Sequence, residues 1–161
     1  MKLDRKTQVL LVDSQASKLM EPLEELLGLA YPEAAYAVAG TRDPEEALAL
    51  FRTKRIDLAI LELDISVCGD YESRQLAEQI KGCLPEIQEE HIGYKLLRHI
   101  KREYPQTRAI ILASYGMCGD KIEDERANAL SKGADGFILK PFAMKELVEE
   151  VGQNLAFHYN R

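Results

Sequence analysis

Apolar residues along this chain follow two alternating spacings. Short, nearly continuous runs suit buried strands: Val9 to Val12, a weaker one at Tyr36 to Ala39, then Ile56 to Ile65, Ala109 to Ala113 and Gly136 to Leu139. Between them apolar residues recur three and four apart, the spacing of one helical face. Ala16, Leu19, Met20, Leu23, Leu26 and Leu27 predict a first helix, which Pro22 should kink or delay because it removes one backbone donor. Asp43, Pro44 and Glu46 predict the start of a second helix running through Phe51. They supply a capping side chain, a proline at the first helical position and a glutamate three residues on to return the bond. The run IDLAILELDI is too dense in apolar residues for a half-exposed strand, so it is expected to be a central strand covered on both faces, with carboxylates at its end. Leu96, Leu97 and Ile100 mark a third helix, residues around Ile122 to Leu130 a fourth, and Leu147, Val148, Val151 and Leu155 the buried side of a last one. Lys140 and Pro141 end the fifth strand.

Strands alternating with helices imply right-handed crossovers and a parallel sheet with helices on both faces, an α/β doubly wound five-stranded architecture. Binding chemistry in such sheets gathers at the carboxyl ends of the strands. The residues there are Asp13, Ser14, Glu62, Asp64, Ala113, Ser114 and Lys140.

With 161 residues, 46% of them apolar and 30% charged, the chain suits one ordered domain spanning residues 1–161. No apolar run nears the ~20 residues that cross a bilayer. The start MKLDRKTQVLLVDS carries an early acid and breaks its apolar run at Asp13, unlike a signal peptide, so a cytoplasmic location is expected and no membrane partner. A formal charge of −6 speaks against nucleic acid as a partner. Cys68, Cys83 and Cys118 are odd in number and lack CxxC spacing, which argues against a disulfide framework or a zinc ribbon. A redox pair of Cys68 and Cys118, or a soft-metal site with His91, stands against the reading of inert thiols. His99 and His158 have no triad spacing.

The segments VLLVDS at 9–14, DPEEALALF at 43–51, IDLAILEL at 56–63, GYKLLRHI at 93–100, AIILASYG at 109–116 and above all KGADGFILKPF at 132–142 resemble the receiver domain of two-component response regulators. The resemblance implies a flavodoxin-like fold. It also implies two adjacent acids after the first strand holding Mg²⁺, and an Asp at the end of the third strand accepting a phosphoryl group from a histidine kinase. A Thr or Ser would end the fourth strand and a Lys the fifth. Asp13 matches the first acid, but Ser14 stands where the second is expected, so Mg²⁺ at Asp13 should be weakened and no other cofactor is implied. Glu62 takes the acceptor position with an extra methylene, and a misplacement of about 1 Å can cost roughly a hundredfold in rate. Ala113 falls at the hydroxyl position with Ser114 one residue later, and a one-residue shift in the alignment would restore the hydroxyl. Lys140 is kept and is expected to pair with Glu62, partly imitating a phosphorylated site. The alternative is a structural remnant without signalling meaning. Asp64, two residues beyond Glu62 and on its face if the strand continues, is the runner-up acceptor, a substitute metal ligand, or the cap of a turn.

Gly93 follows Glu62 by 31 positions, far more than in the family, which places a helical insertion at about 66–91 between the third strand and third helix. Leu76, Ile80, Cys83, Leu84 and Ile87 keep helical spacing there and predict a short amphipathic helix near 71–81, either a lid over the strand ends or a surface decoration. Tyr115 is a packing ring or the start of an output face. The function expected is that of a non-enzymatic, atypical receiver in a phosphorelay, with protein partners (a histidine kinase or downstream regulator) and a homodimer contact through residues 121–157. One alternative is a Mg²⁺-dependent phosphoacceptor using Asp64 or Glu62. Another is a small nucleotide- or flavin-binding enzyme, against which DSQASK stands where a Gly-rich phosphate loop belongs.

Overall fold

The computed structural model describes residues 5–65, 91–114 and 121–159. In chain order these form β1 (Thr7–Val12), α1 (Ala16–Ala30), β2 (Tyr36–Thr41), α2 (Pro44–Thr53), β3 (Leu58–Glu62), α3 (Ile92–Glu103), β4 (Arg108–Ser114), α4 (Ile122–Ser131), β5 (Gly136–Lys140) and α5 (Met144–Tyr159). The strands make one parallel sheet in the order β2-β1-β3-β4-β5. The doubly wound α/β architecture expected from the alternating runs is the one observed. The chain winds from β1 first to one side and then to the other, so the crevice between the ends of β1 and β3 is the switch point of the sheet.

Side chains alternate between the faces of a strand, which splits the core in two. Leu10, Val12, Ala59, Leu61, Ile111 and Phe137 pack with Phe51 of α2 and with Leu97 and Ile100 of α3. Val9, Leu11, Ile60, Leu112 and Ile138 pack with Leu23 and Leu27 of α1 and Leu147 and Val151 of α5. All five residues of β3 are buried, and each large apolar side chain removed from water contributes about 1.5–3 kcal/mol. The outer edges of the sheet are covered by helix side chains. Glu24 of α1 accepts a hydrogen bond from the Val38 N–H of β2 at 2.8 Å, and Arg126 of α4 donates to the Phe137 carbonyl of β5 at 3.4 Å.

Local details depart from the sequence expectations in instructive ways. Helix α1 begins at Ala16 without delay and continues past Pro22, because Leu23 and Leu27, both fully buried against the sheet, anchor the turns that follow the missing donor. At the start of α2 Asp43 accepts from the Glu45 N–H at 2.9 Å, as a cap should. Glu46 does not return a bond to Asp43: the Thr41 hydroxyl stands between them, accepting from the Asp43 N–H at 3.0 Å and donating to Glu46 at 2.7 Å. Strand β3 ends at Glu62 and not at Ile65. Leu63 and Asp64 lie in a turn, and the apolar density that suggested a longer strand reflects the burial of Leu63 and Ile65 beneath that turn. The helix expected near 71–81, Tyr115 and the three cysteines fall outside the described residues.

Helix α3 starts against the end of β3. The Gly93 N–H donates to the Leu63 carbonyl at 3.1 Å, and a Cβ at Gly93 would stand 2.5 Å from the Glu62 carbonyl oxygen. No side chain fits there. Leu63 and Gly93 are thereby held together on either side of positions 66–90.

Candidate functional site

Five parallel strands bring their carboxyl ends to one side of the sheet, and three of them deliver a polar side chain to one spot. Asp13 follows the last residue of β1, Glu62 is the last residue of β3 and Lys140 the last of β5. Glu62 lies on the same face as Leu58 and Ile60, and Lys140 on that of Ile138, so both look toward the α1 and α5 layer. The Lys140–Pro141 peptide is cis.

Lys140 is shared by two carboxylates. Its Nζ lies 2.5 Å from Asp13 Oδ2 and 2.9 Å from Glu62 Oε1. The other bonds come from the turn that opens α1. The Gln15 N–H donates to Asp13 Oδ1 at 2.7 Å, the local Asx geometry of an aspartate bonded to a backbone two residues on. The Ser14 N–H donates to Glu62 Oε2 at 2.8 Å, and the Ser14 hydroxyl to Glu62 Oε1 at 3.2 Å. Every oxygen of both carboxylates thus accepts at least one bond from within the chain. Asp13 is fully buried and Glu62 only 9% exposed. Burial by itself would lower the Lys140 pKa, but hydrogen bonds and attraction from Asp13 and then Glu62 outweigh it and hold the ammonium above its ordinary value.

Of the residues singled out in the sequence, the structure gathers Asp13, Ser14, Glu62 and Lys140. The expected pairing of Lys140 with Glu62 is present, joined by a second one with Asp13. Asp64 is not part of this cluster. Because β3 ends at Glu62, Asp64 is no longer two residues along an extended strand; it sits in the turn with its side chain 65% exposed, 3.8 Å from His91 Nδ1. The hydroxyl position also needs correcting. Ala113 is buried in the core beneath α2 and α3, on the opposite face of the sheet from Glu62. Ser114 shares the face of Ile110 and Leu112 and is in register with Lys140, so it is the residue that ends β4 on the side of the pocket.

Sequence reasoning missed the Asp13–Lys140 contact and the two hydrogen bonds that Ser14 donates to Glu62. The signal for the first was the Asp-Ser-Gln turn, whose Asx geometry turns one Asp13 oxygen inward. The second depends on where a turn directs the Ser14 backbone and hydroxyl, and its mark in residue types was the joint departure at positions 14 and 62. On the other side of the sheet α3 is joined to α4 by the Tyr94 hydroxyl, which donates to Glu125, and to Lys132, the residue after α4, whose Nζ lies 5.2 Å over the Tyr94 ring.

The implied Mg²⁺ can be tested against these donors. Mg²⁺ takes oxygens at about 2.0–2.1 Å in octahedral geometry and keeps several waters. Asp13, the one acid left of the expected pair, has no solvent-facing side on which a hydrated ion could sit. An ion on Asp13 Oδ2 would also stand beside the Lys140 ammonium, a repulsion of several kcal/mol at the effective dielectric of such sites. Ser14 uses its hydroxyl proton on Glu62. The residues present do not fit the ion while Lys140 holds this position.

No protein-family profile matches the chain. Among curated proteins it is similar to a probable transcriptional regulator ycf27 of Guillardia theta, 29% identical over 147 residues that make up 90% of this chain and 44% of that protein. It is also similar to the phosphate regulon transcriptional regulatory protein PhoB of Rhizobium meliloti, 28% identical over 115 residues, 68% of this chain and 48% of that protein. The chain spans less than half the length of these curated relatives. Among solved structures, a CheY-like response regulator receiver domain protein from Methanospirillum hungatei superposes with a TM-score of 0.64 at 18% identity, covering 97% of this chain and 98% of that one. The signal receiver domain of an HD domain-containing protein from Pseudomonas fluorescens gives 0.60 at 25% identity, covering 98% and 100%.

Proposed function

We propose, from the premise that this chain is by fold and by sequence similarity a response-regulator receiver domain of the two-component type, that it signals through protein contacts without taking up a phosphoryl group. The observation that carries this reading is the state of Glu62. An acceptor carboxylate must present a free oxygen in line with the incoming phosphorus, and phosphoryl transfer further needs cationic charge around the transferred oxygens. Here Glu62 Oε2 is turned to the Ser14 N–H and Oε1 to Lys140 and the Ser14 hydroxyl. The cation that would meet the phosphoryl oxygens is already neutralised from both sides. Glu62 supplies a permanent single negative charge at the place where a phosphoryl group would bring nearly two.

In this reading the domain is not an enzyme and holds one conformation for its partners, a histidine kinase or a downstream regulator. The contact surface is formed by α4, β5 and α5, within residues 121–157, where Leu130 of α4 is about half exposed. A second copy of the chain is one partner that this surface admits.

The test is incubation with acetyl phosphate, and separately with beryllofluoride, in the presence of Mg²⁺, followed by intact mass and amide NMR shifts. The expected result is an unchanged mass and an unchanged spectrum. A stable, Mg²⁺-dependent modification would overturn the reading. Its loss in Asp64→Asn would then name Asp64 as acceptor, and its loss in Glu62→Gln would name Glu62.

A further inference from the structure

The two departures from the receiver pattern at positions 14 and 62 touch each other. We propose that Ser14 and Glu62 are a matched pair which, together with Lys140, forms an internal clamp in the place of a divalent cation and ties the start of α1 to the ends of β3 and β5. The inference rests on Glu62 being the acceptor-equivalent residue, and it goes beyond that reading by giving Ser14 a positioning role and the pocket a latent metal site.

The geometry makes each member depend on the other. A shorter Asp at position 62 would end about 1.3 Å nearer the backbone, and the bonds from the Ser14 N–H at 2.8 Å and hydroxyl at 3.2 Å would both open beyond useful range. An Asp at position 14 would replace a donor with a third carboxylate facing Glu62 Oε1 across the distance now spanned by the Ser14 hydroxyl. Either change alone leaves a donor unmet or like charges opposed; both together recreate two short acids beside Asp13, with room between them. A divalent ion ordinarily gathers such oxygens from several strand ends. Lys140, bonded to Asp13 and Glu62, gathers them here from the end of β5, and Ser14 adds the link to α1.

The clamp predicts a specific pattern of cation binding. Wild type, Ser14→Asp and Glu62→Asp should each show no saturable response to Mg²⁺ in amide shifts, and no localised Mn²⁺ broadening around residues 13, 62 and 140. The double variant S14D/E62D should show both, with at least tenfold tighter binding than any of the other three. Saturable Mg²⁺ binding by wild type at Asp13 would overturn the proposal. So would a double variant that folds and binds no better than wild type.

Should the double variant fail to fold, a mutant cycle decides. Ser14→Ala should raise the unfolding constant about tenfold in the wild-type background, the loss of one hydrogen bond to a charged group, and leave it unchanged in Glu62→Ala. The Ser14 amide proton supplies a signature that general destabilisation does not imitate. It should resonate far downfield in wild type, stay there in Ser14→Ala, whose backbone N–H still donates, and move upfield in Glu62→Ala. Equal stability losses in both backgrounds, or an amide shift indifferent to Glu62, would overturn the proposal.

These outcomes are separable from the phosphorylation test. A chain that binds no cation and is nonetheless phosphorylated leaves the clamp standing and removes the proposed function. A chain that binds Mg²⁺ at Asp13 and resists phosphorylation does the reverse.

Discussion

The two ends of the sheet carry the same device with the signs exchanged. At the carboxyl end one cation, Lys140, is shared by two carboxylates, Asp13 and Glu62. At the amino end one carboxylate, Asp135, is shared by two cations: Lys101 Nζ lies 2.5 Å from Oδ2 and the Arg108 guanidinium 2.9 Å from Oδ1, with the Ala109 N–H donating to Oδ2 at 2.9 Å. Burial opposes the charge in both. It would raise the Asp135 pKa, yet the bond from Lys101, followed by those from Ala109 and Arg108, holds the carboxyl below its ordinary value. The difference lies in which charge is in excess and where. The surplus cations at the amino end are 23% and 33% exposed and keep water around them, whereas the surplus at the carboxyl end includes an Asp13 that water does not reach. An excess of exposed cation is a brace between α3, β4 and β5. An excess of buried carboxylate depends on Lys140, its one counter-charge among the described residues, and this dependence makes the carboxyl end a site.

Removing that counter-charge should therefore have the largest effect. Lys140→Met leaves Asp13 and Glu62 facing each other, and breaking a buried pair from one side costs about 3–5 kcal/mol. Because Lys140 retains some solvent contact, about 3 kcal/mol is expected from urea unfolding. Asp135→Asn keeps an acceptor for the Ala109 N–H and leaves two cations that water can serve, so about 1–2 kcal/mol is expected there. A larger loss for Asp135→Asn than for Lys140→Met would break the comparison.

Between these two in size stands Gly93→Ala. The added Cβ meets backbone atoms of Glu62 and Leu63 at 2.5–2.8 Å, and backbone cannot swing aside as the tip of a side chain can. Overpacking of this kind costs about 2–3 kcal/mol. Its amide shift changes should concentrate at residues 62–64 and 91–94 and reach Ser14 through Glu62. Changes spread evenly over both ends of the sheet would show that α3 does not bear on the site.

The comparison also explains what could be read from residue order and what could not. The strand runs and the Asp43–Pro44 start were legible because burial and capping are local consequences of residue type. Lys140 opposite Glu62 was legible because strand ends in a parallel sheet converge. Where burial and strand geometry part company, the reading slipped: Ile56 to Ile65 is dense in apolar residues, yet the strand stops at Glu62, and with it goes the placement of Asp64. At the end of β4 a single residue decides the face, and the choice between Ala113 and Ser114 was resolved, for Ser114, only by register against β5. The bonds of Ser14 and Gln15 depend on the path of a turn, which no periodicity encodes.

The smallest effects near neutrality, and the sharpest probe of the exchanged signs, come from pH. Asp135 titrates below an ordinary carboxylate, so its contribution to stability is complete above the unfolded value and is lost as pH falls through the lower folded one. Lys140 titrates above an ordinary lysine, so its contribution is complete below the unfolded value and is lost as pH rises through the higher folded one. The amino end should thus govern part of the acid limb of a stability profile and the carboxyl end part of the alkaline limb, with neither contribution changing across the neutral range. Urea midpoints taken across pH for wild type, Asp135→Asn and Lys140→Met test this directly. Asp135→Asn should flatten only the acid limb and Lys140→Met the alkaline one, and a variant that flattened the opposite limb would mean that the two ends do not hold the charges assigned to them.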